Sequence, residues 1–317
     1  MVLTRVSRVK LPPDVKGHSI LDYLSGRFTY LTRDGWEHAI HEGRVTLDGE
    51  TATLDSVLAW NQILEYLPPD RPEPEVNTDV KLVYACDDYV VLNKPPNLPC
   101  HPAGGFFLHT LWALLKEGRV EGVPPMEKIH FISRIDRETS GLVLLAKTPQ
   151  FHTRACKMIH QEGTMKQYLA IVHGNFPDEL EADGWLFHDP NCPVEKRRAF
   201  SLEKPSVKAE NAYTSFRCMR HAGNLSLVEA TLHTGRYHQI RATLCGLGYP
   251  LLGDKMYGLD ETIYIRFANH CMTDADRQKL RIDRQALHAW RLCFDRHIFE
   301  APSPLDWQEL GMKNDCV

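Results

Sequence analysis

SRIDRETSGLVLLAK (residues 133–147) sets one carboxylate, Asp136, between two arginines, follows it with Thr139-Ser140-Gly141, and ends in an aliphatic run. LVLLA is apolar enough to be a strand buried on both faces, and the Thr-Ser-Gly turn feeds the chain into it. Asp136 therefore falls where an irregular segment meets a rigid core element, a placement that suits a catalytic side chain. Positive charge at Arg134 and Arg137 lowers the pKa of a neighbouring carboxylate, so Asp136 is expected to be ionised. Taken alone, the segment reads more simply as a salt-bridged surface turn.

Around this stretch the sequence alternates short strand-like runs, KLVYACDDYVVLNK, QYLAIVHG and NLSLVEATL, with a few helical ones, LHTLWALLKEG and FHTRACKMIHQEG. That alternation predicts an α+β domain with a long, mainly antiparallel sheet over residues 80–317. Residues 68–79, PPDRPEPEVNTD, are rich in proline and acid and read as a linker. Residues 1–67 then form a small unit of their own. Ile20, Leu24, Phe28 and Leu31 lie at helical spacing over residues 18–31, WEHAIHEG makes a second helix over 36–43, and RVTLDGETATL a hairpin turning at Asp48-Gly49.

The chain has 317 residues, 43% of them hydrophobic, and a formal net charge of -4, so any nucleic-acid site must come from a local basic face. No apolar run is long enough to cross a membrane, and MVLTRVSRVKLPPD lacks the apolar core of a secretory signal. Nine cysteines without a C-x-x-C pair argue against a disulfide framework and for a reducing, cytoplasmic setting. Sixteen histidines form no H-E-x-x-H or Cys/His cluster, and nucleotide-binding loops and a G-x-S-x-G elbow are absent. Metal and common nucleotide cofactors are thus unsupported.

Three further stretches carry candidate chemistry. LHTGRYHQIRATL (residues 232–244) breaks a strand at Thr234-Gly235 and starts a helix, so Arg236 and nearby N–H groups would favour an anion, with His238 and Arg241 on neighbouring helical faces. VLNKPPNLPCHPAGG (residues 91–105) suggests a rigid loop bringing Lys94 and His101 to the edge of a pocket, although each alone reads as an ordinary lysine and histidine. In KQYLAIVHG, Tyr168 and Ala170 share one strand face while Leu169 and Ile171 take the other. A strand tyrosine is usually core; as a functional residue Tyr168 would stack on a base.

In order, NKPPNLPCHP, SRIDRETSGLVLLAK, KQYLAIVHG, LHTGRYHQIRATLCGLGYPLLGDKMYG and ALHAWRLCF closely resemble the RluA family of RNA pseudouridine synthases. The resemblance implies a catalytic domain with a long antiparallel sheet and a central cleft that admits an RNA-bound uridine. It implies that Asp136 is the essential catalytic residue, with Tyr168 and Arg241 as its active-site companions. Arg134, Thr234, Gly235, Arg236, His238, Gln239 and Lys94 would line the substrate site. ILDYLSGRF, WEHAIHEGRVTLDGE and NQILEY are similar to the small S4 RNA-binding domain, which makes residues 1–67 an S4-like α/β unit.

The chain departs from the family pattern at Ser133, where histidine is usual, at Asn97, where glycine is common, and at Tyr237 and Thr243. Residues 259–284 are longer than a tight connection needs and read as a peripheral insertion. The implied reaction breaks the bond from ribose to N1 and rejoins the base through C5, with no net oxidation or hydrolysis, and so requires no cofactor. The expected partner is ribosomal or transfer RNA, bound by a monomer through Lys94, Lys196-Arg197-Arg198, Arg236 and, in the N-terminal unit, Arg27, Arg33 and Arg44. The alternative is a non-catalytic RNA-binding or ribosome-assembly factor on the same fold.

Overall fold

The computed structural model describes residues 6–69, 72–159, 163–190 and 192–312, and the chain divides into two compact units at residues 73 and 74. In the first unit, β1 (Ser7–Lys10), α1 (Ile20–Arg27), α2 (Arg33–His41), β2 (Val45–Leu47), β3 (Glu50–Thr51) and β4 (Ile63–Tyr66) build a four-stranded sheet of order β1-β4-β2-β3 beside two helices. Helix α1 stops four residues before its apolar pattern does. The Phe28 carbonyl accepts the Trp36 indole N–H at 2.9 Å, which spends it on the core instead of on another helical turn. Helix α2 begins before the predicted start because Thr32 caps it, its hydroxyl accepting from the Gly35 N–H at 3.1 Å. Asp48 and Gly49 both take positive φ, as the two-residue hairpin requires.

In the second unit the strands are β5 (Lys81–Ala85), β6 (Tyr89–Lys94), β7 (His130–Phe131), β8 (Ser140–Ala146), β9 (Met165–His173), β10 (Glu179–Phe187), β11 (Ala199–Ser201), β12 (Ala209–Ala222), β13 (Leu225–Leu232), β14 (Leu287–Phe294) and β15 (His297–Glu300). The helices are α3 (Leu111–Lys116), α4 (Pro149–Met158), α5 (Gln239–Gly246), α6 (Thr262–Ala268) and α7 (Asp274–Leu280). The expected helix over residues 151–163 runs partly outside the described residues. The main path of the sheet is β11-β10-β12-β13-β9-β14-β8-β6-β5. Every pairing is antiparallel except β8 with β14, so the sheet is the long, mainly antiparallel one the sequence implies.

That one parallel pair joins the half of the sheet built before residue 147 to the half built after it. It is tight: a Cβ on Gly141 would lie 2.2 Å from the Ala289 carbonyl oxygen, and Gly141 has φ +110°. Only glycine meets both conditions. All seven residues of β8 are buried, which gives the segment before it a rigid mount. On β9, Ala170 and Val172 pack with Ile240 and Leu244 of α5, while Leu169 and Ile171 pack on the opposite face with Leu252 and Trp290, following the strand's twofold alternation. From Pro74 on, the proline-rich stretch runs along this unit: the Pro74 carbonyl pairs with the His109 ring at 2.6 Å, the Glu75 carbonyl accepts from the Asn97 side chain at 3.3 Å, and the Asn77 N–H donates to the Asn97 carbonyl at 3.3 Å.

Candidate active site

Asp136 lies on the loop between β7 and β8, and that loop is pinned at its base. The Leu144 N–H donates to the Ser133 hydroxyl at 3.0 Å, and the Ile132 N–H donates to the Leu144 carbonyl at 2.9 Å. Serine at the position of the usual histidine therefore braces the loop directly to the buried strand. Asn97 occupies its glycine-like position at φ +56°, a conformation asparagine tolerates better than most residues.

The partner of Asp136 is not a sequence neighbour. Arg241, on the first turn of α5, donates from Nη1 to Asp136 Oδ2 at 2.6 Å, and its other edge is held by Asp254 at 2.7 and 3.0 Å. Asp254 is fully buried and also accepts the Met256 and Tyr257 N–H groups at 2.9 Å each. Burial would raise the Asp136 carboxyl, but the Arg241 guanidinium and the hydrogen bonds from Arg241 and Gln285 outweigh it and hold the pKa below the ordinary 3.8. Arg134 and Arg137, expected to perform this task, are not its ion-pair partners: Arg134 is exposed on the pocket wall, and Arg137 pairs with Glu138 at 3.2 Å. The Asp136 ionisation foreseen in the sequence thus has a different main cause, Arg241.

His238 approaches Asp136 at 3.7 Å, but burial and then Arg241 push its pKa down to about 4, so at neutral pH it is an uncharged ring. Its Nδ1 shares a hydrogen bond of 2.9 Å with the Tyr257 hydroxyl. Tyr168, on β9, lines the same recess of about 390 Å³, together with Asp136, Arg241, Ile135, Leu232 and Leu287. Burial, then the charge of Asp136, raises the Tyr168 phenol well above its ordinary range, so in the free site it carries its proton.

The expected substrate-lining residues divide. Arg134, Arg236, His238 and Gln239 border the recess. Gln239 is occupied within the fold: its carbonyl accepts from the Thr234 hydroxyl and the Arg236 N–H at 2.9 Å each, and its amide donates to the Tyr213 carbonyl and the Thr214 hydroxyl. Gln239 and Thr234 therefore fasten the Thr234-Gly235-Arg236 turn to β12. Arg236 precedes the helix by three residues instead of standing at its N-terminus, and its Nε donates to the Asn211 carbonyl at 3.1 Å.

Lys94 departs most from expectation. It is wholly buried, donates to the Pro95 and Arg137 carbonyls at 2.8 and 3.2 Å, and has its pKa lowered by burial to about 8. It braces the loop from behind and offers no surface charge to RNA. Arg197, another expected surface base, donates to the Met256 carbonyl at 3.2 Å and lies over the Tyr257 ring.

Sequence reasoning missed three members of the site. Asp254 stands in the quoted LLGDKMYG run, where Gly253 has φ +71° and would bring a Cβ within 2.1 Å of the Arg284 carbonyl oxygen. That forced glycine beside an acid was the available signal. Gln285, which donates to Asp136 at 3.2 Å and to the Thr139 hydroxyl at 2.6 Å, had none. Lys255 pairs with Glu138 at 2.9 Å and so ties the loop bearing Asp136 to the turn bearing Asp254.

The family model described as RNA pseudouridylate synthase matches residues 88–245, which include Asp136, Tyr168 and Arg241. The chain is 31% identical to "Ribosomal large subunit pseudouridine synthase D" of Vibrio vulnificus, over 89% of this chain and 86% of that one. The chain belongs to the RNA pseudouridine synthase family. The member of that name from Zymomonas mobilis is 29% identical over 96% of both chains. A solved structure, Human RNA Pseudouridylate Synthase Domain Containing 4, shares the fold with a TM-score of 0.56 and 23% identity, covering 74% of this chain and 95% of that one. As an enzyme of this RluA-type family, the chain isomerises uridine to pseudouridine in RNA.

Proposed function

We propose that Asp136 is the nucleophile of this isomerisation and that Arg241 readies it. The observation that carries the reading is the 2.6 Å contact from Arg241 to Asp136, with the guanidinium anchored from behind by buried Asp254. An ionised carboxylate at the floor of an open recess suits attack on an electrophilic carbon of the target nucleoside. The carboxylate oxygen bonds to that carbon, the bond from C1′ to N1 breaks, the base turns and C1′ joins C5; the bond to Asp136 breaks again and restores the carboxylate, while the C5 proton leaves and N1 gains one. Arg241 orients the carboxylate until substrate enters. Tyr168, protonated in the free site, packs against the uracil and takes the C5 proton only if it first gives up its own.

A stacked base cannot reach Asp136, so the uridine is flipped out unless the RNA already presents it unstacked. Leu232, Ile135 and Leu287 form the apolar walls that keep the detached uracil from escaping. The first RNA to test is ribosomal, by analogy with the two relatives named for the large ribosomal subunit; transfer RNA is the second, since a yeast relative is named "tRNA pseudouridine(32) synthase, mitochondrial". Residues 1–67 serve as an S4-like RNA-binding unit joined by residues 68–79 to the catalytic domain 80–317. The protein works as a monomer in the cytoplasm; no helix among the described residues is long and apolar enough to cross a membrane.

The test is tritium release from RNA labelled at uridine C5, prepared from cells lacking the gene. Wild type releases tritium and Asp136→Asn does not. Full activity in the variant would sink the nucleophile assignment, and RNA binding without any release by wild type would favour a non-catalytic binding factor.

A further inference from the structure

The cleft continues beyond the reaction pocket. Asp136, His238 and Arg241 also border a second, larger recess of about 1020 Å³. Its far wall is α6, the helix that the sequence placed in a peripheral insertion: Tyr264 and Phe267 face the recess, and Phe106 lies in its lining as well. The Arg137 guanidinium lies between two of these rings, 5.3 Å from the Phe106 centroid and 5.9 Å from that of Phe267. Lys255 Nζ is 5.2 Å from the Phe267 centroid. Where the two recesses meet, Tyr237 is 50% exposed and stacks on His238, with centroids 3.7 Å and planes 21° apart.

Helix α6 is short but firmly held. Arg266 grips Asp276 of α7 with both Nε and Nη2, Asp276 closes a capping box with Thr273, and Arg197 pairs with Glu261 at 3.3 Å. The insertion is thus a built wall. Two departures from the family pattern, Tyr237 and the 259–284 segment, place aromatic rings on the same recess.

Resting on the isomerase reading above, we propose that this recess receives the base of a nucleotide adjoining the target uridine in the same RNA strand. Phe267, Tyr264 and Tyr237 supply the stacking faces that select it. A flipped uridine is one unit of a polymer, so its strand neighbour must lie against whatever borders the reaction pocket. Here that border combines ring faces with cations, the pairing that holds unstacked bases and their phosphates. Arg137, close to both rings and, among the described residues, hydrogen-bonded through Nη2 to Glu138, presents further N–H donors to a base edge or phosphate.

The experiment uses RNA from cells lacking the gene, in two arms. Tritium release gives KM and kcat; equilibrium binding of the same RNA in an Asp136→Asn background reads the recess without turnover. Phe267→Ala is expected to weaken binding on the order of tenfold or more and to raise KM alike, with the larger change in KM than in kcat. Phe267→Trp restores both and Phe267→Leu neither, at thermal midpoints matching the parent. Unchanged binding in Phe267→Ala overturns the proposal, and so does rescue by Phe267→Leu, which would show that bulk and not a ring face is needed. Failure of wild type to release tritium refutes the isomerase reading alone, because the binding arm still decides the recess.

Discussion

Two arginines in the catalytic unit each sit between two aspartates. Arg266 grips Asp276 with the Nε–Nη2 edge of its guanidinium and reaches Asp260 at 3.5 Å; Arg241 grips Asp254 with the same edge and reaches Asp136 with Nη1 at 2.6 Å. The first cluster is local in sequence, Arg266 and Asp276 being ten residues apart, and its carboxylates serve helix starts, Asp260 accepting the Thr262 N–H just ahead of α6 and Asp276 accepting the Thr273 N–H that opens α7. The second joins residues 105 positions apart, beneath a recess, and Asp136 accepts no backbone N–H among its hydrogen bonds in the described residues. A carboxylate committed to helix ends is structural. One held only by side chains, at the floor of a recess, is available for chemistry.

The largest effect should come from Asp136→Asn, which should lower kcat by about a thousandfold or more while the Arg241–Asp254 pair keeps the fold. Equal thermal midpoints with lost tritium release would sharpen the contrast between the clusters; a large fall in midpoint would make Asp136 structural after all. Next, Asp254→Asn leaves a buried guanidinium short of its anchor and should cost about 3–5 kcal/mol of stability. Urea unfolding measures this, and a loss near zero would break the view of Asp254 as the fixed end of the cluster.

The third prediction concerns pH. Asp136 is held below 3.8, chiefly by Arg241, and His238 titrates at about 4, so wild-type kcat/KM should show no acid limb from these groups above about pH 4. In Arg241→Gln/Asp254→Asn the burial of Asp136 loses its main opponent, and an acid limb should appear at higher pH. The same sign governs stability: the depressed carboxylates Asp136 and Asp254 stabilise the fold above their unfolded pKa, and that contribution is lost as pH falls through their folded values. A profile identical to wild type would remove Arg241 from the ionisation of Asp136. The smallest effect is expected from Asp276→Asn, a slight fall in thermal midpoint and a rise in KM with kcat kept, because α6 loses its brace but the reaction pocket is untouched. A loss of kcat there would erase the distinction between the two clusters.

Much of the site was legible because its signals are local. The Thr-Ser-Gly turn, the aliphatic run of β8 and the alternation of Tyr168 with Leu169 depend on bonds and neighbours a few residues away. The hairpin at Asp48-Gly49 was readable for the same reason. The loop brace at Ser133 was not, since a hydroxyl accepting the Leu144 N–H requires the loop to fold back on the strand. Lys94 was misread as a surface base because nothing in NKPP tells that β6 lies inside the sheet with the lysine turned behind the Asp136 loop. Residues 259–284 looked peripheral because an insertion shows its length in sequence and not the wall it builds.

The sequence by itself determined the mixed architecture with its long antiparallel sheet, the family, and Asp136, Tyr168 and Arg241 as the residues to watch. Strand period, turn chemistry and ordered motifs are written along the chain. Only the tertiary structure decided which guanidinium keeps Asp136 charged. Charge interactions fall with distance through space, and the single parallel pairing of β8 with β14 helps bring Arg241 within 2.6 Å of Asp136, leaving the adjacent Arg137 turned to Glu138 and two aromatic rings.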